Sequence, residues 1–246
     1  FIRVNNTRIS IDDLKKLLEN EGVQVINSNI ENCLELVLNG AVYELEAYKK
    51  GLFHVEDISS QLCIKALAPY EGCTAIDICA APGGKSTLCR SALPDGSLLV
   101  ANEVMRNRSQ ILAENLIKWG HPDVIVTNND PADFTSLTNL FDVVLTDVPC
   151  SGEGMFRKDE VAVEEWSVDN VDICWQRQRR ILKDIWPTLK SGGILIYSTC
   201  TFNREEDEDN VAWIAKELGA EILPVPVEAD WGITGKDLFL PNRNVP

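Results

Sequence analysis

The stretch TAIDICAAPGGKST, residues 74–87, decides the fold. Residues 75–78 have strand character, a corner of small residues with Gly83 and Gly84 follows, and a segment that can form a helix begins at Lys85. Glycines in such a corner let backbone N–H groups and the positive end of a helix dipole approach a ligand closely. We therefore predict a strand, a tight turn and a helix N-terminus that together bind a ligand.

Three ligand classes use a corner of this kind. A dinucleotide fold requires G-x-G-x-x-G, whereas only two adjacent glycines are present here. A P-loop requires G-x-x-x-x-G-K-[ST]; Gly84-Lys85-Ser86 would supply its end, but Cys79 stands where the first glycine belongs. A nucleoside and amino-acid ligand such as S-adenosylmethionine remains, and a turn that binds nothing is the structural alternative.

Length and composition are those of an ordinary globular protein. The 246 residues are 45% hydrophobic and 25% charged, which allows one large domain, or one domain with a small one. No apolar run approaches the roughly 20 residues of a membrane span, and no signal peptide is visible. We therefore expect a cytoplasmic monomer with no membrane contact. Because the chain begins at Phe1 rather than Met, we also expect its natural N-terminus to lie upstream.

The cysteines predict free thiols rather than disulfides or a metal site. The eight cysteines include no C-x-x-C pair, and the two histidines do not complete a zinc-ligand spacing. Several cysteines lie in apolar runs, as reduced thiols of cytosolic proteins commonly do. We predict that the protein holds no metal.

The net charge of −15 argues against indiscriminate nucleic-acid binding over the whole surface. The acidic run at 205–209 contributes much of the negative charge near the C-terminus. Basic side chains cluster elsewhere, at Arg106 and Arg108, at Arg157 and Lys158, and at Arg177, Arg179, Arg180 and Lys183. A local basic face for RNA phosphates and ordinary solvated helix faces are both open interpretations.

The first 50 residues predict a small α+β module. After a short extended piece, Ser10 caps a helix that ends at Gly22. Strands are expected over 23–26, 33–38 and 41–45, and Asn39-Gly40 predicts a hairpin between the last two. A module of this size is too small for a large core of its own, so we expect it to pack on the next domain.

Residues 51–246 predict an α/β domain. A helix capped near Asp57 or Ser59 is expected within 55–68, and Pro69 ends it. Further strands are expected over 75–79, 97–102, 124–127, 142–147 and 193–200, and further helices over 85–92, 105–119, 171–189 and 205–218. Alternation of this kind produces a parallel sheet with helices on both faces, and ligands bind such sheets at the carboxyl ends of the strands.

Acidic residues follow the second and third of these strands. Glu103 can accept both hydroxyl hydrogens of a ribose, although a carboxylate favoured by a helix dipole is the competing interpretation. Asp130 can contact an adenine edge, although Asn-Asp-Pro is also an ordinary turn. Both residues are therefore candidates for binding a nucleoside.

Two thiols follow the last two strands. Asp147 ends one strand, and a proline-fixed turn then presents Cys150, whereas Cys200 ends the neighbouring strand. Lone buried cysteines are usually structural. A thiol beside a carboxylate at the ligand end of a sheet indicates chemistry, and the two thiols can face one cavity.

Methyl transfer to carbon 5 of a pyrimidine requires such a set of groups. That carbon is a poor nucleophile until a thiolate adds to carbon 6, while an acid near ring nitrogen 3 stabilises the charge that develops. Two cysteines can then divide attack and release between them. Methylation of an exocyclic amine needs no thiol and commonly uses an N/D-P-P-Y/F loop, in which Cys150 would occupy the aromatic position.

Three motifs, DICAAPGGKST, TDVPCSGEGMFRKD and YSTCTFNREEDEDN, resemble the signatures of the NOL/NOP/Sun-type RNA cytosine-5 methyltransferases, including the bacterial ribosomal-RNA enzymes. The resemblance covers most of the chain, up to Asn210, and the three motifs together are highly specific. It implies a Rossmann-like, S-adenosylmethionine-dependent methyltransferase domain over 51–246 and an RNA-associated module over 1–50. The implied substrate is RNA, with small-subunit ribosomal RNA as the expected partner.

The resemblance also assigns site residues. It implies that Cys200 is the covalent nucleophile and that Cys150 assists product release, an order that the sequence logic alone leaves open. Lys85 and Asp147 would contact the target cytosine or the methionine end of the cofactor. The residues implied to bind S-adenosylmethionine are Cys79, Ala80, Ala81, Pro82, Gly83, Gly84, Lys85, Glu103, Arg108, Asp130 and Asp147.

Two departures from the family pattern affect the expected activity. The family's domain usually closes with a G-x-G-F-F strand, and this chain stops at PNRNVP; bacterial relatives also often carry an additional RNA-binding domain. We therefore expect a chain truncated at both ends. A tRNA or DNA methyltransferase, and a non-catalytic assembly factor that binds cofactor and RNA, remain alternatives, although the presence of both cysteines, Lys85 and Asp147 favours intact chemistry.

Overall fold

The computed structural model describes residues 1–64, 67, 69 and 71–225. Over these residues the chain forms an N-terminal α+β module followed by an α/β domain. The C-terminal segment PNRNVP, at which we expect the chain to be truncated, lies outside the described residues. Part of the helix predicted over 55–68 also lies outside them.

The N-terminal module is an antiparallel sheet covered by one long helix. Its strands are β1 (Ile2–Val4), β2 (Gln24–Asn27), β3 (Cys33–Val37) and β4 (Phe53–Val55), in the order β2-β3-β1-β4. Its helices are α1 (Ile11–Asn20) and the short α2 (Glu46–Lys49). The Ser10 side chain accepts a hydrogen bond from Asp13 N at the start of α1, as predicted. Leu14 and Leu18 of α1 are fully buried against the sheet, where Leu34 also lies.

The prediction of a hairpin at Asn39-Gly40 is wrong. Residues 42–44 form a 3₁₀ turn instead of a strand, and α2 follows. Because β3 is paired with β2 on one edge and with β1 on the other, no edge is left for a hairpin partner. Strand β4 pairs with the other edge of β1, so the sheet of the module extends beyond residue 50. The next helix, α3 (Ile58–Leu62), has Asp57 as its cap, one of the two predicted caps.

The second part of the chain is the predicted parallel α/β sheet. Its strands are β5 (Thr74–Asp77), β6 (Leu98–Asn102), β7 (Val124–Thr127), β8 (Phe141–Asp147) and β9 (Leu189–Ser198), in the order β7-β6-β5-β8-β9. All four neighbouring pairs are parallel. The direction in which strands are added reverses between β5 and β8, and ligands bind parallel sheets at such a point. The domain is therefore a Rossmann-like sheet, and the glycine corner lies at its switch point.

Five helices accompany this sheet. They are α4 (Gly84–Ala92), α5 (Arg106–Trp119), α6 (Glu160–Glu165), α7 (Val168–Ile185) and α8 (Glu208–Trp213), and a π-helical turn over 214–218 continues α8. Helix α6 was not expected from the sequence, because none of its side chains is buried and it therefore carries no apolar periodicity. Helix α7 begins three residues before the predicted start at 171, where Ser167 caps it.

Apolar side chains of the central strands fill both faces of this sheet. Leu99 and Leu145 belong to one buried cluster, and Ile76 and Val144 belong to another that includes Ile181 of α7. Full burial of a side chain of this size contributes about 1.5–3 kcal/mol. The packed faces make the central strands a rigid support for the loops at their carboxyl ends.

Candidate active site

The register of β8 and β9 brings the two predicted thiols together. Asp147 lies opposite Ser198 at the ends of these parallel strands, and Val148 N donates a hydrogen bond to Ser198 O at 3.1 Å. The segments that follow both strands therefore start side by side. The Sγ atoms of Cys150 and Cys200 lie 3.3 Å apart.

Backbone contacts hold Cys200 against the loop that follows β8. Cys200 N donates to the sulfur of Cys150 at 3.3 Å, and Gly154 N donates to Cys200 O at 2.7 Å. A Cβ on Gly154 would lie 2.6 Å from that carbonyl oxygen, so only glycine allows this approach. Cys200 itself is exposed, and a substrate can reach its sulfur.

The thiols of the chain differ in acidity because their surroundings differ. The hydrogen bond with Cys150 lowers the pKa of Cys200 to about 7; burial and the Asp147 carboxylate oppose this, whereas the nearby Lys85 assists it. The same hydrogen bond, together with burial, raises the pKa of Cys150. Burial also raises the pKa of Cys79. Because the thiolate is the nucleophilic form, the lowered pKa and the exposure of Cys200 suit its sulfur to nucleophilic attack.

Lys85 and Asp147 form an ion pair beside the thiols. Lys85 Nζ lies 2.8 Å from Asp147 Oδ2, and Ser198 donates to Asp147 Oδ1 at 2.9 Å. Burial lowers the pKa of Lys85, but the carboxylate of Asp147 more than offsets this, so the pKa lies above its ordinary value. Lys85 is therefore a cation, and the pair offers one proton donor and one acceptor to a bound ring.

The glycine corner has the predicted strand, turn and helix. Gly83 precedes α4 with φ of 112°, a conformation that favours glycine, and a Cβ there would lie 3.3 Å from Leu112 Cδ1. Asp77 Oδ2 accepts a hydrogen bond from Ser86 at 2.6 Å, which ties β5 to α4. Arg108 of α5 donates to Ala81 O at 2.8 Å. The turn is held from three elements and is open to close approach along its backbone.

Two buried carboxylate oxygens beside this corner test whether S-adenosylmethionine fits. Asp77 Oδ1 and Glu103 Oε2 make no hydrogen bond within the described residues. Arg108 NH1 lies 3.3 Å from Glu103 Oε2 and joins Glu103 to the corner. Asp77 Oδ1, which has no hydrogen-bond partner among the residues described, and Glu103 Oε2, which has only the ion pair with Arg108 there, favour a ligand that brings hydroxyl or ammonium donors. S-adenosylmethionine carries both. The residues present therefore fit this cofactor.

Asp130 lies in the predicted turn but contacts a different element. Its carboxylate accepts a hydrogen bond from Ala132 N in a capping box, and Arg180 NH1 of α7 lies 2.9 Å from Asp130 Oδ1. The turn and the nucleoside interpretation both remain compatible with this position. Arg180, which was predicted to contact RNA phosphates, therefore forms an ion pair with Asp130 of the same chain.

Most of the predicted basic face is likewise engaged in contacts within the chain. Arg179 stacks between Trp175 and Trp213, at 4.2 and 5.1 Å from their ring centroids. Lys158 Nζ lies 3.1 Å from Asp57 Oδ2. Arg157 is exposed, as are Arg106 and Arg177. The basic face is therefore smaller than the sequence suggests.

Two sets of contacts at the site were not anticipated from the sequence. Arg3 of the N-terminal module donates to Gly84 O at 3.1 Å, although the two are 81 residues apart. Glu206, a member of the acidic run, is fully buried behind the thiols. The presence of Arg3 within the apolar strand β1 is the sequence feature that could have indicated the contact with Gly84. Nothing in the acidic run distinguishes Glu206 from its neighbours.

Neither a membrane-crossing helix nor a metal centre is found in the described part of the chain. No helix there has the length and apolar character needed to cross a bilayer. Within the same residues, no three or more His, Cys, Asp or Glu side chains are grouped so as to hold a metal ion. All eight cysteines are free thiols, as predicted.

Comparison with known proteins identifies relatives that are named as methyltransferases. The small-subunit ribosomal RNA methyltransferase F of Pectobacterium atrosepticum is 33% identical over 232 residues, which are 88% of this chain and 46% of that protein. The protein of the same name from Citrobacter koseri is 35% identical over 242 residues, 91% of this chain and 49% of that protein. The chain thus spans about half the length of the curated relatives it matches.

A solved structure and a family model agree with these relatives. A methyltransferase homologue from Pyrococcus horikoshii superimposes with a TM-score of 0.74 at 30% identity, over 87% of this chain and 68% of that one. The model of the family described as 16S rRNA methyltransferase RsmB/F matches residues 64–243, which include the corner, Lys85, Asp147 and both thiols. With a Rossmann-like methyltransferase sheet and this match, the chain belongs to the 16S rRNA methyltransferase RsmB/F family.

Proposed function

We propose that this chain transfers a methyl group from S-adenosylmethionine to carbon 5 of a cytosine in RNA, through a covalent adduct with cysteine. The observation that carries the proposal is the pair of thiols 3.3 Å apart beside the Lys85–Asp147 ion pair. Methylation of an amine or an oxygen would require neither thiol. Family membership supports the transfer of a methyl group to ribosomal RNA.

Cys200 is the nucleophile in this proposal. Its low pKa and exposure favour attack by the thiolate on carbon 6 of the cytosine, which forms a sulfur–carbon bond and moves electron density to carbon 5 and ring nitrogen 3. The Lys85 ammonium stabilises the charge at nitrogen 3, and the Asp147 carboxylate accepts a hydrogen from the exocyclic amine. The ion pair thereby orients the ring over the thiol.

Cys150 completes the reaction as a base. S-adenosylmethionine, when bound, would supply an electrophilic methyl group on a sulfonium sulfur, and the thioether S-adenosylhomocysteine would be the leaving group as carbon 5 bonds that methyl. Once the Cys200 sulfur is bonded to carbon 6, the hydrogen bond that raised the pKa of Cys150 is gone, and Cys150 releases its proton to solvent. The resulting Cys150 thiolate removes the proton from carbon 5, the double bond between carbons 5 and 6 re-forms, and the Cys200 thiolate leaves. Its position 3.3 Å from the Cys200 sulfur places Cys150 beside the adduct.

The cofactor is held in this proposal by the corner and by the residues that adjoin it. The backbone of 79–85 approaches the methionine end, with Asp147 beside it, while Glu103 accepts the ribose hydroxyl hydrogens. Arg108 fixes Glu103 against the corner, and Asp130, in the turn that follows β7, would contact the adenine.

The substrate is proposed to be small-subunit ribosomal RNA, because the relatives that match are named for it. A cytosine that is unpaired or flipped out of its helix would enter beside the cofactor, as bases do in enzymes that modify them. The module at the N-terminus would assist RNA binding. We expect the protein to act in the cytoplasm as a monomer.

Trapping of the adduct tests the proposal directly. With S-adenosylmethionine and small-subunit ribosomal RNA, at an alkaline pH that keeps Cys200 ionised, Cys150→Ala should accumulate a covalent protein–RNA complex, because attack proceeds and release is blocked. Cys200→Ala should form none. Denaturing electrophoresis measures both, and parallel reactions with tRNA and DNA identify the substrate class. An adduct formed by Cys200→Ala alone would exchange the roles, and 5-methylcytosine produced by the Cys200→Ala variant would refute Cys200 as the required nucleophile.

A further inference from the structure

One member of the acidic run at 205–209 is turned into the protein. Glu206 is 0% exposed, whereas its neighbour Glu205 is exposed. A buried carboxylate is costly unless hydrogen bonds satisfy it. Its partners therefore indicate why a carboxylate stands at this position.

The partners of Glu206 are the residues that flank the two thiols. Both carboxylate oxygens accept from Ser151 N, at 3.2 and 3.1 Å, and Ser151 directly follows Cys150. Asn203 Nδ2 donates to Glu206 at 2.7 Å and to Thr201, the residue after Cys200, at 2.8 Å. The carboxylate thus connects the loop after β8 to the turn after β9.

Helix α7 anchors this connection to the sheet. Gln178, fully buried on α7, donates to Glu206 and also to Pro149 O at 3.0 Å. Tyr197 of β9 in turn donates to Gln178 Oε1 at 3.0 Å. The residues on both sides of Cys150 are therefore held from one rigid helix.

Only a carboxylate suits this set of donors. A backbone N–H and two side-chain amides point at Glu206, and an ionised carboxylate accepts at both oxygens and donates from neither. Glutamine has nearly the same shape but would direct an NH₂ group at one of these donors. The resulting mismatch must move at least one of the two loops.

We propose that Glu206 is a positioning residue whose carboxylate sets the separation of the Cys150 and Cys200 sulfurs. This inference rests on the proposed function, in which both thiols act on one cytosine. Glu206 touches neither sulfur and acts through Ser151 and Asn203. A displacement of about 1 Å in such a constellation is enough to reduce a rate by about a hundredfold.

The test compares Glu206→Gln with Glu205→Gln, which removes the same charge from an exposed neighbour. The first measurement is the alkylation of Cys200 by iodoacetamide across pH, mapped by peptide mass spectrometry, in which the thiolate displaces iodide. Cys150 stabilises the Cys200 thiolate only while the two sulfurs lie within hydrogen-bond distance. Because Glu206→Gln is expected to change that separation, it should move the midpoint of this profile to higher pH. The profile of Glu205→Gln should match that of the unmodified protein.

Methyl transfer and cofactor binding are measured on the same proteins. Glu206→Gln should lower kcat by about a hundredfold and leave KM for S-adenosylmethionine and its calorimetric Kd nearly unchanged. An unshifted alkylation profile would overturn the proposal, as would an equal shift in Glu205→Gln or a loss of cofactor binding in Glu206→Gln. If the unmodified protein methylates no RNA, the proposed function fails, and the alkylation comparison still decides the role of Glu206.

Discussion

At the residue scale, the reactivity of each thiol follows from its surroundings rather than from its type. Burial raises the pKa of Cys79 and of Cys89, so both stay protonated and inert at neutral pH. A hydrogen bond from Cys150 has the opposite effect on Cys200 and lowers its pKa to about 7. The Cys200 thiol is therefore distinguished from these apolar-core thiols by one contact with a second cysteine.

This contact predicts a pH dependence. Because the thiolate is the active form, methyl transfer should be slow below the pKa of Cys200, rise with pH through about 7, and level off above it. In Cys150→Ala the hydrogen bond is removed, and the pKa of Cys200 should rise toward its ordinary value. Alkylation of Cys200 by iodoacetamide across pH measures both proteins. A profile that Cys150→Ala leaves unchanged would show that Cys150 does not govern this acidity.

At the scale of elements, the N-terminal module is attached to the cofactor corner through buried polar contacts. The Arg3 guanidinium lies 2.7 Å from Glu56 and donates to Thr87 of α4 at 2.6 Å. It also lies 4.6 Å from the ring centroid of Trp119 at the end of α5. Asn5 donates to Trp119 O at 2.9 Å. Strand β1 thus fixes both helices that follow the first two strands of the parallel sheet.

Removal of Arg3 should therefore weaken both stability and cofactor binding. Arg3→Met leaves Glu56 as an unpaired buried charge, and a change of this kind costs about 3–5 kcal/mol. Because Gly84 O also loses a donor, Kd for S-adenosylmethionine should rise. Chemical denaturation and calorimetry measure the two effects.

Two further variants serve as references for Arg3→Met. Arg3→Met with Glu56→Gln removes both charges and should recover part of the stability. Lys16→Met breaks an exposed ion pair with Asp13 and should change stability by less than about 1 kcal/mol. If Arg3→Met bound the cofactor as tightly as the unmodified protein, the module would not support the corner.

At the scale of the whole molecule, the proposed function requires an acidic protein to bind an acidic polymer. The net charge is −15, and many of the clustered basic side chains already pair with groups of the chain itself. Arg157 follows the Cys150 loop and Arg177 lies on α7, and both are exposed. The proposed binding of RNA is therefore expected to depend on a few local contacts rather than on the overall field.

The double variant Arg157→Ala/Arg177→Ala tests this view. It should weaken binding of small-subunit ribosomal RNA, and the slope of log affinity against log salt should fall by about 0.7 for each phosphate that an arginine no longer neutralises. Filter binding at several salt concentrations measures the slope. Lys16→Ala, which removes a charge from the distant helix α1, should leave the slope unchanged. An equal slope in the double variant would exclude both arginines from phosphate contact.

Much of the fold and of the site was predictable because its signals are local. The corner around Gly83 follows from turn chemistry, and the parallel sheet follows from alternating strand and helix patterns. The hairpin at Asn39-Gly40 failed although its local signal is strong, because β1 and β2, which come earlier in the chain, take both edges of β3. Helix α6 was not predicted because none of its side chains is buried.

The sequence by itself determined the strand, corner and helix at 74–87, and it placed a thiol after each of two strands. Only the tertiary structure decided the separation of those thiols, the inward position of Glu206 and the reach of Arg3 to Gly84. The physical reason is the distance along the chain over which each kind of interaction acts. Periodicity and turn chemistry act between neighbours in the chain, whereas strand register and buried hydrogen bonds join residues that are far apart in it.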